Sequence, residues 1–145
     1  MKFYFDSSLL VKLYYPEDLS DAVTEMVKKR KSPVIFSSLH ELEIKNAVAL
    51  KVFREEMPDA QAEMFFDDLN NDLKTGVLAR LHLDWGEVFT EALKLSAAHT
   101  KSTGARALDI LHIAAAQAVQ CTHFITHDKR QAETARIAGM HVRLL

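Results

Sequence analysis

The segment FYFDSSLL, residues 3–10, passes from an aromatic run to an acidic and hydroxylated turn and then to leucines. The aromatic run is typical of a buried strand, and Asp6 with the two serines is typical of a helix start. The same order returns at residues 33–38 (PVIFSS) and 123–128 (HFITHD). Short buried strands that alternate with helices predict an α/β fold with a mainly parallel sheet.

The rest of the chain continues this alternation of helices and strands. Leucines recur at helical spacing after residue 8 until Pro16, and Pro58 is predicted to begin a helix that carries an apolar stripe. The run KSTG, residues 101–104, predicts a loop, and Gly139 predicts a helix end. Further helices are predicted at about 18–30, 39–53, 84–99, 105–119 and 128–138, and further strands at 77–83 and 141–144.

Length and composition describe an ordinary globular chain. Its 145 residues fit one domain, so we predict a single domain over residues 1–145. The net charge of −2 is not typical of a protein that coats nucleic acid, although a local basic rim around an acidic site would cancel in that total. No apolar run approaches the ~18 residues that span a bilayer, and Cys121 is alone, so we expect no membrane association and a cytoplasmic location.

Acidic residues follow two of the predicted strands. Parallel α/β sheets bind ligands outside the carboxyl ends of their strands, which is where Asp6 and Asp128 lie in the sequence. The alternative for each is a helix N-cap, and one carboxylate can serve both roles.

Asp109 lies in the apolar segment ALDILHIAAA, residues 107–116. An ionised carboxylate buried alone is costly, so Asp109 needs a cation, a cluster of donors or a raised pKa. A structural salt bridge is the alternative. His112, one turn later, is best interpreted as a core histidine that orients a neighbouring group.

A fourth acid, Glu43, lies in the predicted helix after residue 38. It shares a face with Asn46, whereas Glu41 pairs with Lys45 at the i, i+4 spacing of a solvated face. Glu43 is therefore the better site candidate of the two glutamates.

Four carboxylates gathered in one crevice would repel one another unless a divalent cation neutralised them. Ligation by oxygen alone favours Mg²⁺ or Mn²⁺ over zinc. Such an ion activates water for attack on a phosphodiester. The pattern thus predicts a site for a hard metal ion, and it does not name the substrate.

Four segments together give the chain a resemblance to a known family. These are FDSSLLVKLY at residues 5–14, SS leading to EIKNA at 37–47, LDILHIAAA at 108–116, and FITHD at 124–128. In this order they resemble PIN-domain proteins, and within that family the VapC-type toxins of toxin–antitoxin pairs. The resemblance covers the whole chain and implies a PIN-like three-layer fold, with a central sheet of about five strands flanked by helices.

The resemblance also implies an activity and a set of site residues. It implies a Mg²⁺- or Mn²⁺-dependent endoribonuclease that forms a homodimer and is inhibited by an antitoxin. The residues that match the family's acidic quartet are Asp6, Glu43, Asp109 and Asp128. Those that match its polar support positions are Ser8, Asn46 and Thr126.

Basic residues near the acidic segments are candidate contacts for RNA phosphates. They are Lys12, Lys45, Arg106, Lys129 and Arg130.

Two other functions compete with the nuclease. One is an inactive PIN-like module that binds RNA or protein, against which the intact quartet argues. The other is a receiver-type phosphoryl-transfer protein, which would need adjacent acids after the first strand, where Ser7 and Ser8 stand instead.

Overall fold

A computed structural model describes residues 2–145 of the chain. It contains two compact units: one combines the N-terminal residues through Asp6 with residues 82–145, and the other comprises Ser7–Leu81. The strands are β1 (Phe3–Phe5), β2 (Val34–Phe36), β3 (Leu78–Arg80), β4 (His123–Thr126) and β5 (His141–Leu144). The helices are α1 (Ser7–Val11), α2 (Ser20–Lys28), α3 (Ser38–Phe53), α4 (Asp59–Thr75), α5 (Trp85–Leu95), α6 (Lys101–Thr103), α7 (Ala107–Ala118) and α8 (Lys129–Ile137).

The first unit contains a parallel three-stranded sheet in the order β1-β4-β5. Phe5 aligns with Ile125, and both are fully buried, as the apolar runs require. Because β1 and β4 are parallel neighbours in register, the residues that follow them emerge at the same edge of the sheet. Asp6 therefore lies beside the end of β4, and its backbone N–H donates to the Ile125 carbonyl at 3.0 Å.

The second unit contains a parallel pair, β2 and β3, together with α1–α4. Val34 aligns with Leu78, and both are buried. Helix α3 begins with a reciprocal cap: the Ser37 hydroxyl accepts from the His40 backbone, and the Ser37 N–H donates to the His40 ring. This cap satisfies donors at the helix start and fixes the direction in which α3 presents its side chains.

The predicted α/β class is confirmed, as is the number of five strands, counted over residues 2–145. These strands hydrogen bond as two sheets of three and two, rather than as one sheet, because apolar patterns predict strands but not their partners. The strand predicted at 141–144 is confirmed as β5, which lies at an edge of the three-stranded sheet. The single domain over 1–145 and the layering of its elements stay predictions.

The predicted loop at residues 101–104 was wrong. The helix from Trp85 continues through a π-helical turn at Ser96–Thr100 into α6, and Gly104 ends it with a φ of 69°. The hydroxyls of Ser102 and Thr103 donate to the His99 carbonyl, so the residue types that favoured a loop close the last helical turn. Glycine in the left-handed conformation is the usual helix terminator.

None of the helices within residues 2–145 is long and apolar enough to cross a membrane.

Candidate functional site

Asp6 is held at the carboxyl edge of the three-stranded sheet. Asp6 is only 6% exposed, and the Thr126 hydroxyl lies 2.6 Å from its Oδ2. The same hydroxyl lies 2.7 Å from Gln131 Oε1. A hydroxyl has one proton, so Thr126 shares it between these two acceptors, of which a carboxylate is the stronger. The amide nitrogen of Gln131 points the other way, towards the Asp109 carbonyl at 3.5 Å.

Thr126 also connects Asp6 to Asp128. Its Oγ1 accepts from the Asp128 backbone N–H at 3.0 Å. Asp128 is the N-cap of α8, where its Oδ1 accepts from the backbones of Arg130 and Gln131 at 2.8 and 3.1 Å. The N-cap interpretation is therefore confirmed for Asp128, and the cap leaves its Oδ2 directed elsewhere.

Arg106 joins Asp128 to Asp109. Its Nε lies 3.3 Å from Asp109 Oδ2, and its Nη2 lies 3.4 Å from Asp128 Oδ2. Asp109 occupies the first turn of α7, and Arg106 is the residue immediately before that helix. The three acids of the first unit thus belong to one chain of hydrogen bonds, which runs Asp6–Thr126–Asp128–Arg106–Asp109.

The carboxyl of Asp109 is electrostatically strained. Burial raises its pKa above the ordinary value of 3.8, and the hydrogen bond from Arg106 offsets only part of that effect. The charge of Asp128 raises the pKa further. Two half-buried carboxylates thus share one guanidinium, and their negative charge exceeds the local positive charge.

Glu43 lies in the second unit, on α3. The Ser7 hydroxyl donates to Glu43 Oε1 at 2.9 Å, so the first residue of α1 anchors this glutamate. Ser8 and Asn46, which match support positions of the family, are both exposed, and their roles stay predictions. Ser7 was not singled out from the sequence, where the family resemblance gave Ser8 as the support residue.

Gln131 is a second residue that the sequence did not reveal. It is 1% exposed, and besides meeting Thr126 its Nε2 lies 3.5 Å from the Asp109 carbonyl. The signal was its position three residues after the N-cap Asp128, where a side chain can turn back towards the strand end.

His112 is a core residue, as its sequence position indicated. It is 2% exposed, and the Tyr4 hydroxyl lies 2.6 Å from its Nδ1.

The candidate RNA contacts differ in their surroundings. Lys12 is 12% exposed at its side chain and pairs with Glu17 at 3.1 Å, while Lys45 pairs with Glu41 at 3.0 Å. Lys129 and Arg130 are exposed in the first turn of α8. Their contacts with RNA stay predictions.

The donors of the first unit fit a hard cation by their chemistry. Asp6, Asp109 and Asp128 offer only carboxylate oxygens, the ligands that Mg²⁺ and Mn²⁺ prefer. Across residues 2–145, no three His, Cys, Asp or Glu side chains already form a ready-made coordination site. The acids are linked through the Thr126 hydroxyl and the Arg106 guanidinium instead.

The chain has clear relatives by family and by fold. The family profile described as the PIN domain matches residues 3–137. A search of curated proteins gives no match. The fold is similar to a crystal structure of FitAcB from Neisseria gonorrhoeae (TM-score 0.63, 15% identity, 97% of this chain and 95% of that one).

It is also similar to VapBC2 from Rickettsia felis, solved bound to a DNA fragment from its promoter (TM-score 0.67, 14% identity, 99% of this chain and 98% of that one). At these identities the two structures establish the fold alone. The family profile covers nearly the whole sequence, and the chain therefore belongs to the PIN-domain family.

Proposed function

We propose that this chain is a Mg²⁺- or Mn²⁺-dependent endoribonuclease and the toxin of a toxin–antitoxin pair. PIN domains are generally nucleases, which supports hydrolysis of a nucleic acid. The proposed ligands are Asp6, Asp109 and Asp128 of the first unit, with Glu43 as the fourth on the family pattern. Ser8, Asn46 and Thr126 are the proposed polar support.

One observation carries the proposal: three acids that are far apart in sequence belong to a single hydrogen-bonded chain, and one guanidinium is shared by two of them. An acid-rich cluster of this kind has unused capacity for positive charge. The carboxyl ends of parallel strands are also where α/β proteins bind their ligands.

The residues of the chain have distinct tasks in this proposal. Thr126 orients Asp6 and fixes the backbone of Asp128, so two carboxylates keep their direction before substrate arrives. A bound divalent cation supplies an activated water and stabilises the negative charge that develops on the phosphate. The exposed Lys129 and Arg130 are proposed to contact the RNA backbone.

The test is RNA cleavage by the purified chain with Mg²⁺, with Mn²⁺ and with EDTA. We expect cleavage with either ion, none with EDTA, and none in Asp6→Asn. Asp84→Asn is the matched control, because Asp84 is an exposed N-cap aspartate and asparagine preserves the cap. If the folded chain binds RNA but cuts none with either ion, it is a binding module and the proposal fails.

The toxin role has its own test, because nuclease chemistry does not require it. Expression of the wild-type chain in bacteria should arrest growth, and expression of Asp6→Asn should not. The proposed antitoxin is a separate protein that restores growth when it is co-expressed. The proposed location is the cytoplasm, where RNA is accessible.

We also propose that the chain forms a homodimer. Exposed apolar side chains of α5 and α7, Phe89, Leu93 and Leu108, line a groove in the first unit. Apolar patches of this kind are typical of protein interfaces. Light scattering should give twice the chain mass for the wild type and the single-chain mass for Leu93→Glu, and a monomeric wild type would refute the dimer.

A further inference from the structure

Arg106 contacts the acid pair loosely and from the solvent side. Its side chain is 75% exposed, against 18% for Asp109 and 27% for Asp128. The two distances, 3.3 and 3.4 Å, exceed the 2.7–2.9 Å of a strong charge-assisted hydrogen bond. Exposed ion pairs of this kind are weak and are screened by salt. The guanidinium can therefore leave the carboxylates at little cost.

The atoms that Arg106 contacts are those that a metal ion would need. It faces Oδ2 of both aspartates. The other oxygen of Asp128 is engaged by the backbone at the start of α8, so Oδ2 is the oxygen on which a cation can bind without breaking that cap. A guanidinium and a divalent cation on the same oxygens would repel each other strongly. The two forms of positive charge are alternatives.

We infer that Arg106 is an intramolecular competitor of the metal ion: it pairs Asp109 with Asp128 in the metal-free chain and leaves both when a cation binds. This inference rests on the proposed metal site. Arg106 holds the two carboxylates side by side in the metal-free state, and it weakens metal binding by the free energy needed to break two ion pairs. This role also explains why Arg106 links the two carboxylates in place of a ready-made coordination site.

The experiment is a titration of each purified chain with Mn²⁺, with free Mn²⁺ followed by electron paramagnetic resonance. Arg106→Gln should bind Mn²⁺ about 3- to 10-fold more tightly than the wild type, the factor expected from two exposed ion pairs. Arg106→Lys should fall between them, because an ammonium does not bridge two carboxylates with a planar fork. Circular dichroism checks that each variant is folded.

Arg136→Gln is the matched control. It removes the same charge from the same unit, at the end of α8, and Arg136 has no ion pair with an acidic side chain among residues 2–145. An affinity gain in Arg106→Gln no larger than that in the control would overturn the inference, as would a loss of affinity.

The outcomes separate this inference from the proposed function. If the wild type binds Mn²⁺ and Arg106→Gln matches the control, the competitor role fails while the nuclease proposal stands. If no variant binds Mn²⁺, the metal site itself fails. Raising KCl from 50 to 500 mM should also bring the Mn²⁺ dissociation constants of the wild type and Arg106→Gln closer together, because salt screens the ion pairs of Arg106.

Discussion

Two clusters of ion-paired side chains, one in each unit, contain acids and bases in opposite proportions. The acid-rich cluster has one cation, Arg106, for Asp109 and Asp128. The base-rich cluster has one acid, Glu41, which pairs with Lys45 at 3.0 Å and with Arg80. The acid-rich cluster has negative charge left to bind a further cation. In the base-rich cluster the charge of Glu41 is already neutralised by its two partners. Charge balance, and not the presence of ion pairs, separates a candidate site from surface structure.

The pKa directions follow the same division. Burial raises the pKa of Asp109, and the hydrogen bond from Arg106 only moderates the effect. Hydrogen bonds from Arg80 and then from Lys45 lower the pKa of Glu41. Ionisation of Asp109 therefore lowers the free energy of unfolding, whereas ionisation of Glu41 increases it. Strained carboxylates are typical of functional sites.

The largest expected difference between the clusters is in catalysis. Asp109→Asn should lower the rate of Mn²⁺-dependent RNA cleavage by about 100-fold or more, since metal ligands contribute several kcal/mol to transition-state stabilisation. Glu41→Gln should cleave at nearly the wild-type rate. Single-turnover assays with excess enzyme measure both. Equal losses in the two variants would remove the distinction between the clusters.

The next effect is the stabilisation of the fold by metal. At about 100 times its dissociation constant, a bound ion adds roughly 2.7 kcal/mol, which raises the Tm of a chain of this size by about 5–10 °C. We expect that shift in the wild type and in Glu41→Gln, its reversal by EDTA, and its loss in Asp109→Asn. Thermal denaturation followed by the fluorescence of Trp85 measures it. A full shift in Asp109→Asn would exclude Asp109 as a ligand.

The sequence was sufficient where a residue's own neighbours determine its state. The apolar neighbours of Asp109 predicted that it needs a cation, donors or a raised pKa, with a salt bridge as the alternative; it has both a raised pKa and an ion pair with Arg106 at 3.3 Å. The strand at 141–144 was predicted with its observed limits, because it follows the helix end that Gly139 marks. The pairing of Glu41 with Lys45 followed from helical spacing and is confirmed at 3.0 Å.

The sequence was insufficient where partners are distant along the chain. Nothing in residues 104–110 indicates that Arg106 also reaches Asp128, 22 positions away. The Tyr14 hydroxyl donates to Asp72 over 58 positions, which no local pattern predicts. The contact of Ser7 with Glu43, 36 positions away, depends on the direction of a side chain at a strand-to-helix junction. Register and side-chain direction come from packing, and a single sequence contains them only implicitly.

A smaller effect is expected in the stability of the metal-free protein. Because the pKa of Asp109 is raised, the native state binds more protons than the unfolded state just above pH 3.8, and stability falls as the pH rises through that window. Asp109→Asn removes this cost. With EDTA at pH 7 its Tm should exceed that of the wild type by a few degrees, since each kcal/mol shifts the Tm of a chain of this size by about 2–4 °C.

The gain should disappear at pH 3, where Asp109 is protonated in both states of the wild type. A lower Tm for Asp109→Asn at pH 7 would mean that the pair with Arg106 outweighs burial, and the acid-rich cluster would then resemble the base-rich one.

The smallest effect belongs to the base-rich cluster and has the opposite sign. Because the pKa of Glu41 is lowered, its contribution to stability is present above the ordinary value of 4.5 and is lost as the pH falls through the lowered one. Glu41→Gln should therefore destabilise the chain at pH 7, by less than about 1 kcal/mol because its partners are solvent-exposed.

Glu63→Gln is the control, since Glu63 is exposed on α4 without an ion pair among the described side chains. Urea denaturation at pH 7 and near pH 3 should give a difference that shrinks with acid for Glu41→Gln and is absent for Glu63→Gln. Stabilisation by Glu41→Gln at pH 7 would show that Glu41, too, is strained, and charge balance would no longer distinguish the two clusters.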